Sequence, residues 1–183
     1  MSSSKKEIRN LVIDALMIAV FVVLSRFLTI PVGNVKITIA ALPIIFTAFY
    51  LGIRHTVIVA TLAEFLTQLL GYGLTPTTPL WMLPGILRGI IICILVSFLL
   101  KKKGKTVQSI SYFEYGIIIL TTGIVVLLLN TAVIALDAII YNYFSYAYVL
   151  GDFIFRFIAM IISSVIYMFI TKAVIDSLFK AKF

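Results

Sequence analysis

Between Leu11 and Ile175 the chain is a succession of long apolar runs, and that pattern allows few folds. A helix needs ~20 mostly apolar residues to cross the hydrocarbon core of a bilayer, fewer if it is short or broken. Leu11–Ile30 meets that length. A short run follows at Ile37–Leu51, then Thr56–Tyr72, Trp81–Leu100, Tyr115–Tyr141 and Tyr148–Ile175. In lipid every backbone N–H and C=O needs an internal partner, so such runs have to be helical. The alternation of a membrane barrel is absent. The first run is too long for a cleaved signal peptide and lacks a small-residue cleavage site before Pro31. The expectation is an all-α bundle of six transmembrane helices in one membrane domain, residues 1–183. Composition agrees: 62% of residues are hydrophobic and 12% charged, against ~45–50% and ~25% in soluble domains.

A net charge of +8 raises the question of nucleic acid. The basic residues answer it by their positions. Lys5, Lys6 and Arg9, then Lys101, Lys102, Lys103 and Lys105, then Lys172, Lys180 and Lys182 all flank apolar runs. No segment supplies a folded basic face with interleaved aromatics. The connections instead fall into two sets. The N-terminus, Gly52–His55, Lys101–Ser111 and the C-terminus carry nearly all the basic loop residues. Pro31–Lys36, Gly73–Leu80 and Asn142–Ala147 carry only Lys36. Six spans with both termini cytoplasmic satisfy the positive-inside rule, which makes this a multi-pass protein of the cell membrane.

The second set of loops has its own chemistry. Gly71 to Pro79 is turn-rich and hydroxyl-bearing, and Tyr141 to Tyr148 holds four of the nine tyrosines. Tyrosines at this depth form an interfacial belt in many membrane proteins. Their concentration on one side also fits an aromatic-lined binding mouth.

Ionisable groups inside spans cost roughly 2.5–3.5 kcal/mol each at the bilayer centre, so each calls for a reason. Asp14 lies near the cytoplasmic interface and reads as a solvated helix end, and Arg26 is close enough to the other interface to snorkel. Glu64 is midway along the third run, with Gln68 four residues on and Thr61 three before, a polar stripe on one helix face. Arg88, Asn130, Asp137, Asp152 and Arg156 extend the set through the later runs. Two readings stay open. Pairs such as Glu64 with Arg88 or Asp137 with Arg156 would hold helices together, while Asp152 and Arg156, four apart in one run, could satisfy each other. Alternatively, the groups line an outward-facing pocket whose guanidinium takes a ligand carboxylate in bidentate fashion.

Several chemistries are missing from the sequence. Gly104-Lys105-Thr106 resembles the tail of a phosphate loop, but Leu99 stands where the motif needs glycine. His55 is the only histidine and Cys93 the only cysteine, so no zinc framework or disulfide is expected, and Cys93 reads as a buried packing residue. No serine occupies a nucleophile elbow. The expectation is a non-enzymatic binding subunit with no cofactor. A membrane scaffold or assembly subunit is the alternative from another class.

The chain also resembles the substrate-binding S components of energy-coupling factor (ECF) vitamin transporters. Ala15-Leu16-Met17-Ile18-Ala19 is similar to the family's pattern of two alanines four apart on helix one. Ile30 to Ile37, Leu42-Pro43 and Tyr50-Leu51-Gly52 resemble its first connection and short second helix. Leu83-Pro84, Leu87-Arg88-Gly89 and Leu129-Asn130-Thr131 resemble patterns of its fourth and fifth helices. The resemblance implies a vitamin bound near the outer face, under a lid of the loops after helices one, three and five. It implies docking through Ala15 and Ala19 onto a transmembrane coupling subunit carrying two cytoplasmic ATPases, and release by toppling in the membrane. The Gly73–Trp81 loop looks more like pantothenate members, with folate or another B vitamin as alternatives. The ligand-binding residues expected are Arg88, Asn130, Gln68, Glu64, Trp81, Tyr72 and Tyr146.

Overall fold

A computed structural model describes residues 3–32, 35–104 and 106–180. Gly33 and Asn34 of the first connection, and Lys105 and Lys182 of the basic clusters, lie outside them. Seven α-helices and one hairpin follow in order: α1 (Ser3–Phe27), β1 (Thr29–Val32), β2 (Val35–Thr38), α2 (Leu42–Tyr50), α3 (Ile53–Tyr72), α4 (Thr78–Lys103), α5 (Tyr112–Ile140), α6 (Tyr146–Leu150) and α7 (Phe153–Lys180). α1, α3, α4 and α5 contain stretches long and apolar enough to cross a membrane. So does the segment Tyr146–Leu178, made of α6 and most of α7.

The second run is where the structure departs from the sequence reading. Its first residues pair in an antiparallel hairpin with Thr29 opposite Thr38, so the chain is helical but not purely so. What remains as α2 is nine residues, ~13.5 Å at ~1.5 Å per residue, too short to cross ~30 Å alone. Pro43 opens it at a position where a missing N–H costs nothing. Residues Pro43 to Phe49 are all buried, which explains the unbroken apolar run. α2 packs against α1, α3, α4 and α7 and serves as the centre of the bundle.

Contacts fix the helix directions. Asp14 meets His55 and Ser25 meets Thr67, so α1 and α3 run parallel. Trp81 meets Asp137 and Lys103 meets Glu114, so α4 and α5 run antiparallel. Thr131 meets Arg156 near the start of α7, while Gly116 packs on Met168 far along it. The beginning of α1 and the end of α7 therefore lie at the same end of the bundle. The exposed Lys5, Arg54 and Lys101 to Lys103 share that end.

Turn chemistry closes the elements. Gly104 ends α4 in the left-handed region at φ 59°, where a Cβ would be strained. Ser111 and Glu114 form a capping box that starts α5. Two groups read from sequence as solvent-facing are internal. Asp14 is 3% exposed and held by His55 Nδ1 at 2.6 Å. Lys172 is 6% exposed and donates to Asp176 at 2.6 Å and to the Gln108 carbonyl. Cys93 is buried beside Ala48 and Thr56, as a small packing residue should be.

Candidate functional site

The polar residues of α3, α4, α5 and α7 converge because each recurs at helical spacing on one face. The cavity-facing stripe on α4 is Trp81, Gly85, Arg88 and Ile92; on α5, Thr122, Val126, Asn130 and Ile134; on α7, Arg156, Met160, Ser163 and Tyr167. Between them lies a cavity with two lobes. The larger, about 450 Å³, is bounded by α4, α5 and α7. The smaller, about 290 Å³, is bounded by α1, α3 and α4 and lined by Glu64, Gln68 and Ser25 among others. Thr38, Tyr72, Trp81, Arg88, Asn130 and Tyr167 border both, so the lobes adjoin. Each lobe is near the size range of small-molecule sites.

Arg88 occupies the junction. Its guanidinium lies beside the Tyr167 hydroxyl and close enough to Glu64 to interact electrostatically. Among the described residues it makes no ion pair within 4 Å, so the suggested Glu64–Arg88 pair is not closed. Glu64 can press against α4 because residue 85 is glycine. A Cβ there would collide with the Glu64 carboxylate. Tyr167 is itself oriented, donating to the Thr38 carbonyl at 2.7 Å and so tying the hairpin to α7.

The remaining charges are arranged differently from the pairs suggested by sequence. Asp137 accepts from Trp81 Nε1 at 3.0 Å and from the Tyr143 hydroxyl, not from Arg156. That hydrogen bond pushes the Tyr143 phenol above the ordinary tyrosine range, since ionising it would place two anions together. Arg156 makes no ion pair within 4 Å with Asp152 among the described residues. It donates instead to the Val149 carbonyl and to Thr131 Oγ1, and its Nε has no partner. Arg26 is exposed and donates to the Thr67 carbonyl at 3.3 Å.

Arg88, Asn130, Trp81 and Tyr72 thus border both lobes, and Glu64 and Gln68 line the smaller. Tyr146 does not join them. It is 76% exposed, its ring against Phe144, and Tyr148 lines the larger lobe instead. The reason is local: α6 is a short helix capped by Ser145, which turns positions 146 and 148 to different sides. Arg156, Tyr167, Thr38 and Ser163 were not picked out as site residues. Arg156 carried the signal of an uncompensated charge, masked by the nearby Asp152; Tyr167 and Thr38 carried none. No group of three His, Cys, Asp or Glu side chains able to hold a metal forms among the described residues.

Ala15 and Ala19 are exposed on the outer side of α1, away from the cavity. A small-residue surface there allows close approach by another helix.

Comparison with known proteins places this architecture. A family model described as "ECF transporter, substrate-specific component" matches residues 9–171. A solved S component of a bacterial ECF transporter shares the fold at a TM-score of 0.63 and 19% identity, over 94% of this chain and 98% of that one. The S component for biotin from an ECF-type ABC transporter gives 0.62 and 20%, over 95% and 94%. At these identities the likeness establishes the fold alone. No curated protein matches the sequence significantly.

Proposed function

The chain belongs to the family of ECF transporter substrate-specific components, multi-pass proteins of the plasma membrane, and we propose that it captures a carboxylate-bearing vitamin, pantothenate by preference, for ATP-driven uptake. The observation that carries the reading is Arg88. It borders both lobes of the cavity and has no carboxylate within 4 Å among the described residues. A guanidinium that lines a cavity and closes no ion pair within 4 Å among the described residues favours an anionic ligand, and its planar fork matches a carboxylate. Pantothenate supplies one carboxylate, an amide and two hydroxyls. Asn130, Gln68 and the Tyr167 hydroxyl offer amide and hydroxyl partners for the rest, and Trp81 and Tyr72 an apolar wall.

Arg156 favours a second reading. It places another guanidinium, with no ion pair within 4 Å among the described residues, in the larger lobe, which suits a ligand with two acidic groups, as folate has. The biotin-binding relative shares only the fold at 20% identity, so biotin enters as a comparison ligand.

The basic end of the bundle is the cytoplasmic one on this reading, and the cavity faces outward. Ala15 and Ala19 dock on a transmembrane coupling subunit with two ATPases, since the chain carries no nucleotide motif of its own. A thermal-shift panel of B vitamins on the purified protein tests the proposal. A cognate vitamin at a hundredfold excess over its dissociation constant should add ~2.7 kcal/mol of stability. A scaffold would respond to none, and a response to folate or biotin without one to pantothenate would overturn the preference.

A further inference from the structure

We infer that the smaller lobe is a donor-binding subsite, in which Glu64 accepts hydrogen bonds from hydroxyl or N–H groups at the end of the ligand opposite its acid. This assignment rests on the proposed role of Arg88 and adds a second requirement: the vitamin is a carboxylic acid carrying donors at its far end. Counted along α3 (Ile53–Tyr72), Glu64 stands ~16 Å from one end and ~12 Å from the other at ~1.5 Å per residue, near the middle of the span. Among the described residues its carboxylate closes no ion pair within 4 Å, and the charge that acts on it is Arg88. It lies against α4 where residue 85 has no Cβ to block it, so the backbone sets its place.

Donors around the lobe are engaged elsewhere. Ser25 Oγ donates to the Val22 carbonyl at 2.8 Å, Thr29 Oγ1 to the Ser25 carbonyl at 2.8 Å, Tyr167 to the Thr38 carbonyl and Trp81 to Asp137. When a ligand acid takes Arg88, Glu64 loses its counter-charge, and a carboxylate without solvent or donors is costly at that depth. Donors on the same ligand offset the cost and bring no further charge into the bilayer. The Gln68 side-chain carbonyl, one turn along the same face, supplies a second acceptor in the lobe. An acid with an apolar tail would leave Glu64 bare. Pantothenate carries its hydroxyls away from its acid, and folate carries its amino and ring N–H groups away from its acids, so both satisfy the requirement.

Calorimetric titration of the purified full chain with pantothenate and with its analogue lacking both hydroxyls tests the subsite. Folate and its 2-desamino analogue are run alongside, and the ratio of affinities is read on whichever acid the native chain binds. The native chain should bind the donor-bearing acid about ten- to hundredfold tighter than its analogue, the scale of a hydrogen bond to a charged group. Glu64→Met removes the acceptor and should bring the two affinities together. Gly85→Ala keeps the charge but moves the carboxylate, and should narrow the ratio as well. Glu64→Met decides where its circular dichroism and gel filtration match the native chain; otherwise Gly85→Ala decides. A ratio left at its native value overturns the inference, whether both affinities fall, rise or hold. So does a native chain indifferent to the donors. A native chain that binds neither pantothenate nor folate instead removes the carboxylate reading of Arg88, and the subsite with it.

Discussion

The indole N–H of Trp81 donates to Asp137 at 3.0 Å, fastening the start of α4 to the end of α5 at the mouth of the cavity. Asp137 is 7% exposed and also accepts from Tyr143, so it is a buried anion held by neutral donors from two directions. Trp81→Phe keeps an aromatic ring but removes the donor and part of the indole's bulk. Hydrogen bonds to charged groups contribute ~1.5–3 kcal/mol, so thermal unfolding should show a loss of that order. Ligand affinity should fall as well, because Trp81 borders both lobes. An unchanged midpoint would mean the bond contributes nothing net.

Arg88 separates a structural counter-ion from a ligand contact. On the proposed function, Arg88→Lys weakens vitamin binding roughly ten- to hundredfold, since a point charge loses the bidentate geometry and ~1.5–3 kcal/mol with it. The double change Arg88→Met with Glu64→Gln removes both charges and should not restore binding. Calorimetric titration that finds near-native affinity in the double variant would assign Arg88 to helix pairing.

Gly89 lets α4 approach the centre of the bundle. A Cβ there would run into side-chain methyl groups of Thr56 and Ile44, both fully buried. Gly89→Ala should cost ~1–3 kcal/mol by overpacking, read as a lowered unfolding temperature in detergent. Gly52 meets nothing within 4 Å but has φ 84°, so any loss from Gly52→Ala would come from backbone strain.

Ala15 and Ala19 face outward, so bulk can be added without disturbing the core. Ala15→Leu with Ala19→Leu should abolish uptake by the assembled transporter and leave vitamin affinity within error of the native value. A parallel fall in both would place α1 in the binding site.

Proteoliposomes carrying this chain alone should bind the vitamin and show no accumulation when ATP is added. Accumulation without partner subunits would contradict the division of labour proposed here.

The long spans were legible in the sequence because lipid leaves the backbone no alternative to helix, and because basic residues collect at one end of each apolar run. Glu64, Gln68, Arg88 and Asn130 were legible as residues that share a cavity for a related reason. Polar groups in apolar helices stand out, and helical spacing puts them on one face. Tertiary structure decided what depends on partners from distant segments. It made the first part of the second run a hairpin, because strand pairing between Thr29 and Thr38 satisfies a backbone that nine helical residues could not carry across. It gave Asp14 to His55 and Asp137 to Trp81 and Tyr143, pairings set by helix packing across forty or more residues in two of the three cases. It left Arg156 without an ion pair within 4 Å among the described residues, and the placing of α6 decided which of positions 146 and 148, set on different sides of its one turn, faces the cavity.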